Sequence, residues 1–152
     1  MGVDVDVEQV KNDIYGITGV ESGFGENKPN EEDISDSMVN RELLGKKSSR
    51  GDISQGATKF KANSLNAEEN EFLNVDANNI GNDKENIKAA TYKYVKNYAT
   101  FSEYAKSNPQ LNLNKEDIRL MTILSHNQGT AKLLNLGYNN PNMDFKEELA
   151  KK

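Results

Sequence analysis

Apolar residues recur at helical spacing in three separate stretches of this chain, divided by polar, asparagine-rich segments. Val7, Val10, Ile14 and Ile17 are three and four residues apart, one buried stripe that predicts a first helix over 6–19. Glycines at 16, 19, 23 and 25 allow the backbone to turn sharply and pack closely where that helix ends. Residues 26–36 are polar, with a Pro29-Asn30 turn followed by acids suited to opening a second helix. Met38, Val39, Leu43 and Leu44 give that helix an apolar edge, and Gly45 stops it. A loop rich in Ser, Gly and Lys runs from Lys46 to Ser54. Residues 57–62 alternate weakly and suggest a short extended segment or hairpin arm, and 63–86 read as a short helix and loop.

The strongest pattern is the next one. Ile87, Ala90, Tyr94, Val95, Tyr98, Phe101 and Tyr104 with Ala105 predict a helix of about six turns, from Asn82 or Asp83 to Lys106. Asn108-Pro109 ends it. Asn114 is a good N-cap, and Glu116 and Asp117 in the first turn complement the helix dipole. Ile118, Met121, Ile123, Leu124, Ala131, Leu133 and Leu134 continue the apolar face through an interruption at Gly129. Gly137 suits a C-terminal stop, and Phe145 to Ala150 form an amphipathic tail. No internal repeat is visible. The expectation is a mainly α protein, a helical domain with at most a small β-hairpin.

Composition narrows the classes of function. A length of 152 residues suits one domain over 1–152 with a modest core. With no cysteine and a single histidine, His126, there is no disulfide framework or thiol nucleophile, and a histidine-rich zinc site is a poor prospect. Net charge is -5, with acids crowded into 4–36 and no basic stripe interleaved with aromatics, which argues against nucleic acid. No apolar run is long enough to span a membrane, and the start lacks the basic and apolar regions of a signal peptide. Met1-Gly2 leaves open that the chain is a piece of something larger.

One short stretch carries candidate chemistry. Gly19-Val20-Glu21-Ser22-Gly23-Phe24-Gly25 sets a carboxylate at the end of the first helix, beside Val20 and Phe24. Partial desolvation there would let a carboxylic acid keep its proton near neutral pH and serve as a general acid. The plainer alternative is that Glu21 opens a solvated loop.

Two further patches follow in order: Ser54-Gln55-Gly56-Ala57-Thr58-Lys59-Phe60-Lys61, then Leu124-Ser125-His126-Asn127-Gln128-Gly129. Together the three resemble the lysozyme-like superfamily, in particular lytic transglycosylases and goose-type lysozymes, phage tail-associated peptidoglycan hydrolases among them. That family carries Glu-Ser-x-Phe with the catalytic acid, Ser-x-Gly-x-x-Gln lining the cleft, and Ala-Tyr-Asn-x-Gly behind it. The resemblance spans roughly 7–137 and implies a lysozyme-like α+β fold. It also implies Glu21 as the catalytic acid/base, Ser22 as the serine bracing the turn and Phe24 as a packed aromatic. Ser54 and Gly56 match the second motif, Asn127 and Gly129 the third.

The departures are specific. Lys59 stands where the family has glutamine, His126 where it has tyrosine, and Ser125 where it has alanine. With no tryptophan, a flat sugar-binding surface falls to Tyr92, Tyr98 or Tyr138. Ser22, Ser54, Lys59, His126, Asn127 and Tyr138 are the expected substrate-binding residues. Lys59 either contacts a lactyl or peptide carboxylate of the substrate or is simply solvated. His126 is either a packing histidine or a hydrogen-bond partner of Glu21. Arg50-Gly51-Asp52 spells an adhesion tripeptide, read here as coincidence.

The implied reaction is cleavage of the MurNAc–GlcNAc β-1,4 bond of a peptidoglycan strand, with no cofactor. The 2-acetamido group can replace a protein nucleophile, and attack by the sugar's own 6-hydroxyl gives a 1,6-anhydro product with one glutamate. Inverting hydrolysis needs a second carboxylate about 6.5–9.5 Å away to activate water. Asp52 is the candidate, with Asp33 and Asp36 behind it, and a turn-forming aspartate is the alternative for Asp52. Two rival classes stand beside this: an inactive glycan-binding or structural module of a phage tail or cell-wall assembly, and a chitinase-like hydrolase. Action in the bacterial periplasm or cell wall, with delivery in a phage particle or through a holin, is the matching location.

Overall fold

The apolar stripe of the first segment does form a helix, and it runs further than its glycines suggest. In the computed structural model, which describes residues 5–46, 49–130 and 132–134, α1 spans Val7–Ser22 and buries Val10, Ile14 and Ile17. Gly16 and Gly19 are helical, not terminal. The stop comes at Gly23 (φ 58) and Phe24 (φ 60), both left-handed. There the Gly23 N–H reaches Gly19 O at 3.1 Å and the Phe24 N–H reaches Thr18 O at 3.1 Å.

The second helix, α2, is Glu31–Leu43, opened by a capping box. The Asn30 side chain accepts from the Asp33 N–H at 2.8 Å, and Asp33 accepts from the Asn30 N–H at 3.0 Å. Gly45 (φ 72) closes it, with the Lys46 N–H bonded to Arg41 O at 2.9 Å and the Gly45 N–H to Glu42 O at 2.9 Å. The expected apolar edge is largely in water: Ile34 is buried, but Val39, Leu43 and Leu44 are exposed.

After α2 come a short 3-10 turn at Arg50–Asp52 and another at Ala62–Ser64. The alternation over 57–62 makes no strand. Its β content is one bridge, Gln55 with Phe60, around a tight four-residue turn. Helix α3 (Ala67–Leu73) has the same Asn-led capping box, from Asn66 and Glu69. Helix α4 (Asp83–Ser107) lies where periodicity places it, and α5 (Lys115–Gln128) starts at the expected cap Asn114 but stops at Gly129 (φ 81), where the apolar pattern predicts continuation. The described residues are therefore mainly α and contain no strand. Gly137 and the expected tail at 145–150 lie outside the described residues.

Internal packing groups the chain into two compact units, Val7–Tyr92 and the described residues before Val7 together with those from Lys93 onward. The first buries Val10, Ile14, Ile17, Ile34, Ile53, Phe60, Leu73 and Ile80 among others. The second is built on Phe101, Tyr104, Ile118, Met121 and Leu133. A buried polar link crosses its core: Asn97 Nδ2 donates to Ser125 Oγ at 2.9 Å, and Ser125 Oγ donates to Thr122 O at 2.6 Å. Satisfied polar contacts of this kind fix the register of packed helices where apolar contact alone is permissive.

Candidate active site

The segment 49–64 has little regular structure, so its shape depends on side chains that supply the missing backbone partners. Asn86, fully buried at the start of α4, supplies two of them. Its Nδ2 donates to Gln55 O and Ile80 O, each at 2.8 Å. Its Oδ1 accepts from the Thr58 N–H at 2.9 Å and from Thr58 Oγ1 at 2.7 Å. All four hydrogen-bonding positions of the amide are filled. Gln55, also buried, ties the same turn outward, donating to Ala77 O at 3.1 Å and Arg50 O at 3.3 Å.

Two glycines of the segment make room for asparagine side chains. A Cβ on Gly56 would lie 2.3 Å from Asn86 Nδ2, and Gly56 has φ 76. A Cβ on Gly51 would lie 2.2 Å from Asn63 Oδ1. Gly56→Ala is expected to cost about 3 kcal/mol, the sum of a left-handed backbone penalty and overpacking. A urea titration of the variant against the parent measures it.

Arg50 fastens the segment to α2. Its Nη1 donates to Glu31 Oε2 at 2.9 Å while Nη2 donates to Glu31 Oε1, a forked pair, and Nε donates to Ala77 O at 3.0 Å. The hydrogen bond from Arg50 holds the Glu31 carboxyl below its ordinary value of 4.5, outweighing an opposing desolvation, with the Arg50 charge a lesser contribution in the same direction. A depressed carboxylate stabilises the fold above the ordinary pKa and loses that contribution as pH falls through the lowered one. Glu31→Gln is therefore expected to unfold more easily than the parent near neutral pH. Denaturation midpoints taken down the acid limb should converge. Arg50 and Asp52 are both committed to internal partners, so the Arg50-Gly51-Asp52 tripeptide is a folded turn and not a presented loop tip.

Glu21 lies in the last turn of α1. It follows Val10, Ile14 and Ile17 at spacings of four, three and four, so it ends the buried stripe and is half-buried. Val20 and Phe24 do not enclose it, being 82% and 58% exposed. Beside it Ser22 is buried, with Oγ donating to Ala57 O at 2.6 Å and lying 3.1 Å from Thr18 O, and accepting from the Gly25 N–H at 2.9 Å. The serine braces the turn and joins it to the Gln55–Phe60 turn, which leaves its hydroxyl inside the protein.

Phe24 is not packed into the core. Its ring stacks on Tyr15, centroids 4.5 Å apart and planes 27° apart, over the gap left by Gly19. Tyr15 is 66% exposed. This aromatic pair escaped the sequence reading because Tyr15 lies off the apolar stripe, about 120° around the helix from Glu21. Tyr92, by contrast, is half-buried against Phe72, and Tyr98 packs on the second core.

Asp52, Ser54 and Lys59 come together. They line an open groove of ≈ 570 Å³ with Ile53 and Lys61 on one wall, facing Asp33, Ser37, Asn40 and Arg41 of α2. Asp52 is half-buried and oriented by two donors, Asn63 Nδ2 to Oδ1 at 2.8 Å and Ser49 Oγ to Oδ2 at 3.0 Å. Glu21 is not among the described residues that line this groove. His126, half-buried, and Asn127 lie on α5 in the other unit, and Tyr138 lies outside the described residues. Among the described residues no group of three or more His, Cys, Asp or Glu could hold a metal ion. No described helix is long and apolar enough to cross a membrane. Comparison of the chain with protein-family models, with curated proteins and with solved structures gives no match.

Proposed function

We propose that this chain is a peptidoglycan-cleaving glycosidase of lysozyme-like type, acting on the MurNAc–GlcNAc bond of the bacterial cell wall with Glu21 as the acid. The observation that carries the reading is the 2.6 Å hydrogen bond from Ser22 Oγ to Ala57 O. It joins the Glu21-Ser22 helix end directly to the Ser54–Lys61 turn, 35 residues away in sequence, so that two of the three patches carrying the resemblance meet. Glu21 protonates the departing glycosidic oxygen and then takes a proton from the incoming hydroxyl. With the substrate's acetamido group assisting, a single carboxylate suffices and the sugar's 6-hydroxyl closes a 1,6-anhydro ring. Asp52 is the water activator only if ordinary reducing ends are formed.

Mass spectrometry of digested sacculi tests this. Products one water lighter than hydrolysis products are expected, ending in 1,6-anhydro-MurNAc. Intact glycan, from a sample that a control muramidase does cut, would sink the reading.

A second reading has one observation in its favour. The concave surface described above is lined by Asp52, Ser54 and Lys59 but not by Glu21. A glycan-binding module of a phage tail or wall assembly needs such a groove and no acid. Glycan binding without product, unchanged by Glu21→Gln, identifies it.

A further inference from the structure

We propose that the α2-facing groove recognises a carboxylate carried by the glycan, with Lys59 and Lys61 as the groups that read it. This inference rests on the glycan reading above and names the feature of the strand that the groove selects.

Charge is the first argument. The chain carries -5 overall, yet the groove wall places Lys59, Lys61 and Arg41 around one concavity. Against these stand two acids, Asp33, which accepts from the Asn30 N–H, and Asp52, which accepts from Asn63 and Ser49. Lys59 and Lys61 form no side-chain hydrogen bond or ion pair with the described residues. Three cations against two carboxylates leave the groove lining net positive on an acidic protein, and two ammonium groups without an ion-pair partner among the described residues raise its local potential for an anion.

Backbone conformation is the second. Lys59 has φ 50, a left-handed position in a tight turn where glycine or asparagine is the undemanding choice. Its side chain is exposed, so it adds nothing to the core that would offset the strain. Lysine at this position is explained by what its ammonium meets in the groove.

Rigidity is the third. Phe60, between the two lysines, is buried and bridged to Gln55, while Asn86 holds Thr58. Phe60 is buried, whereas Lys59 and Lys61 on either side of it are exposed and line the same groove. The pair is thereby displayed from a fixed frame, which limits the ordering needed on binding.

The test uses the full chain with Glu21→Gln, to stop turnover, and sacculi free of wall phosphate polymers. Co-sedimentation is measured with native sacculi and with sacculi whose carboxyls have been amidated. The parent is expected to bind native sacculi about fivefold more tightly at low salt, the scale of one or two solvent-exposed ion pairs. Lys59→Gly with Lys61→Ser should abolish that preference while leaving binding to amidated sacculi unchanged and the urea midpoint unchanged or higher. Equal binding of both sacculi by the parent overturns the proposal, as does an equal loss on both by the double variant. A preference that appears only with phosphate-bearing sacculi overturns the assignment to a carboxylate. If the active chain leaves sacculi uncut and the Glu21→Gln chain binds neither form, the glycan reading itself falls. Cutting by the active chain without a carboxyl preference removes this inference alone.

Discussion

Glu21→Gln is expected to lower sacculus cleavage by about 10²- to 10⁴-fold, the range associated with loss of a positioned general acid/base. The substitution keeps size and shape and removes only the transferable proton. Glu21 ends the Val10, Ile14, Ile17 stripe and is half-buried, so glutamine can occupy the same space with its amide directed outward. Folding should be preserved, with an unchanged circular dichroism spectrum and a urea midpoint close to the parent's. Cleavage at the parent rate by such a folded variant would falsify the assignment of Glu21. The companion substitution, Asp52→Asn, separates the two chemistries. Under the anhydro-forming route cleavage stays within a few-fold of the parent, because the attacking hydroxyl belongs to the substrate. A loss as large as that of Glu21→Gln would indicate that Asp52 activates water, and the products would then carry ordinary reducing ends.

The largest expected effect on stability is at Asn86. Its amide makes four hydrogen bonds, to Gln55 O, Ile80 O, the Thr58 N–H and Thr58 Oγ1, in a site with no exposed surface. Asn86→Ala removes all four bonds; Gln55 O keeps the Phe60 N–H, and each buried group left unsatisfied costs about 1–3 kcal/mol, discounted where water enters the gap. A loss of about 4 kcal/mol is expected, against a total stability of about 5–15 kcal/mol for a typical domain. Asn86→Asp is the sharper probe. It keeps the volume and the acceptor for Thr58 but replaces two donors with an oxygen facing the carbonyls of Gln55 and Ile80. It should be at least as destabilised as the alanine variant at neutral pH and recover in part in acid, where the protonated carboxyl regains one donor. A chemical denaturation series across pH measures both. An alanine variant within 1 kcal/mol of the parent, by the scale of a single net hydrogen bond, would show that the turn at 55–60 is held by something else.

What was legible along the chain follows from where the information lies. Helices α1, α4 and α5 have apolar residues at three- and four-residue spacing, a property of the segment itself. The ends of α1 and α4 and the start of α5 lie within a few residues of those expected, but α5 stops at Gln128 where the apolar pattern runs on past Gly129. Asn114 as a cap was equally legible, since its partner Asp117 is three residues away. The same box at Asn66 and Glu69 was available by the same signal and was passed over in an asparagine-rich stretch. The end of α1 was misplaced because glycine in a sequence does not say whether it turns the chain or makes room. Gly19 makes room for the Phe24 ring, and that is decided by a neighbour only after the chain has reversed. The apolar edge of α2 was misjudged for a related reason: periodicity locates a face but not whether anything covers it.

The candidate site divides in the same way. Sequence alone determined the residue types on offer: a glutamate ending an apolar stripe, a serine after it, and a Ser-Gln-Gly turn followed by two lysines around a phenylalanine. Only the tertiary structure decided which of them meet. Ser22 finds Ala57 across 35 residues, Asn86 finds Thr58 across 28, and Arg50 finds Ala77 across 27. Asp52, Ser54 and Lys59 are collected into a groove opposite α2, with Glu21 outside its lining. The physical reason is that helix formation depends on spacing within one segment, whereas an irregular turn has no periodic signal. Its shape is set by distant buried groups whose hydrogen bonds must be satisfied, and the sequence does not state which partner each will find.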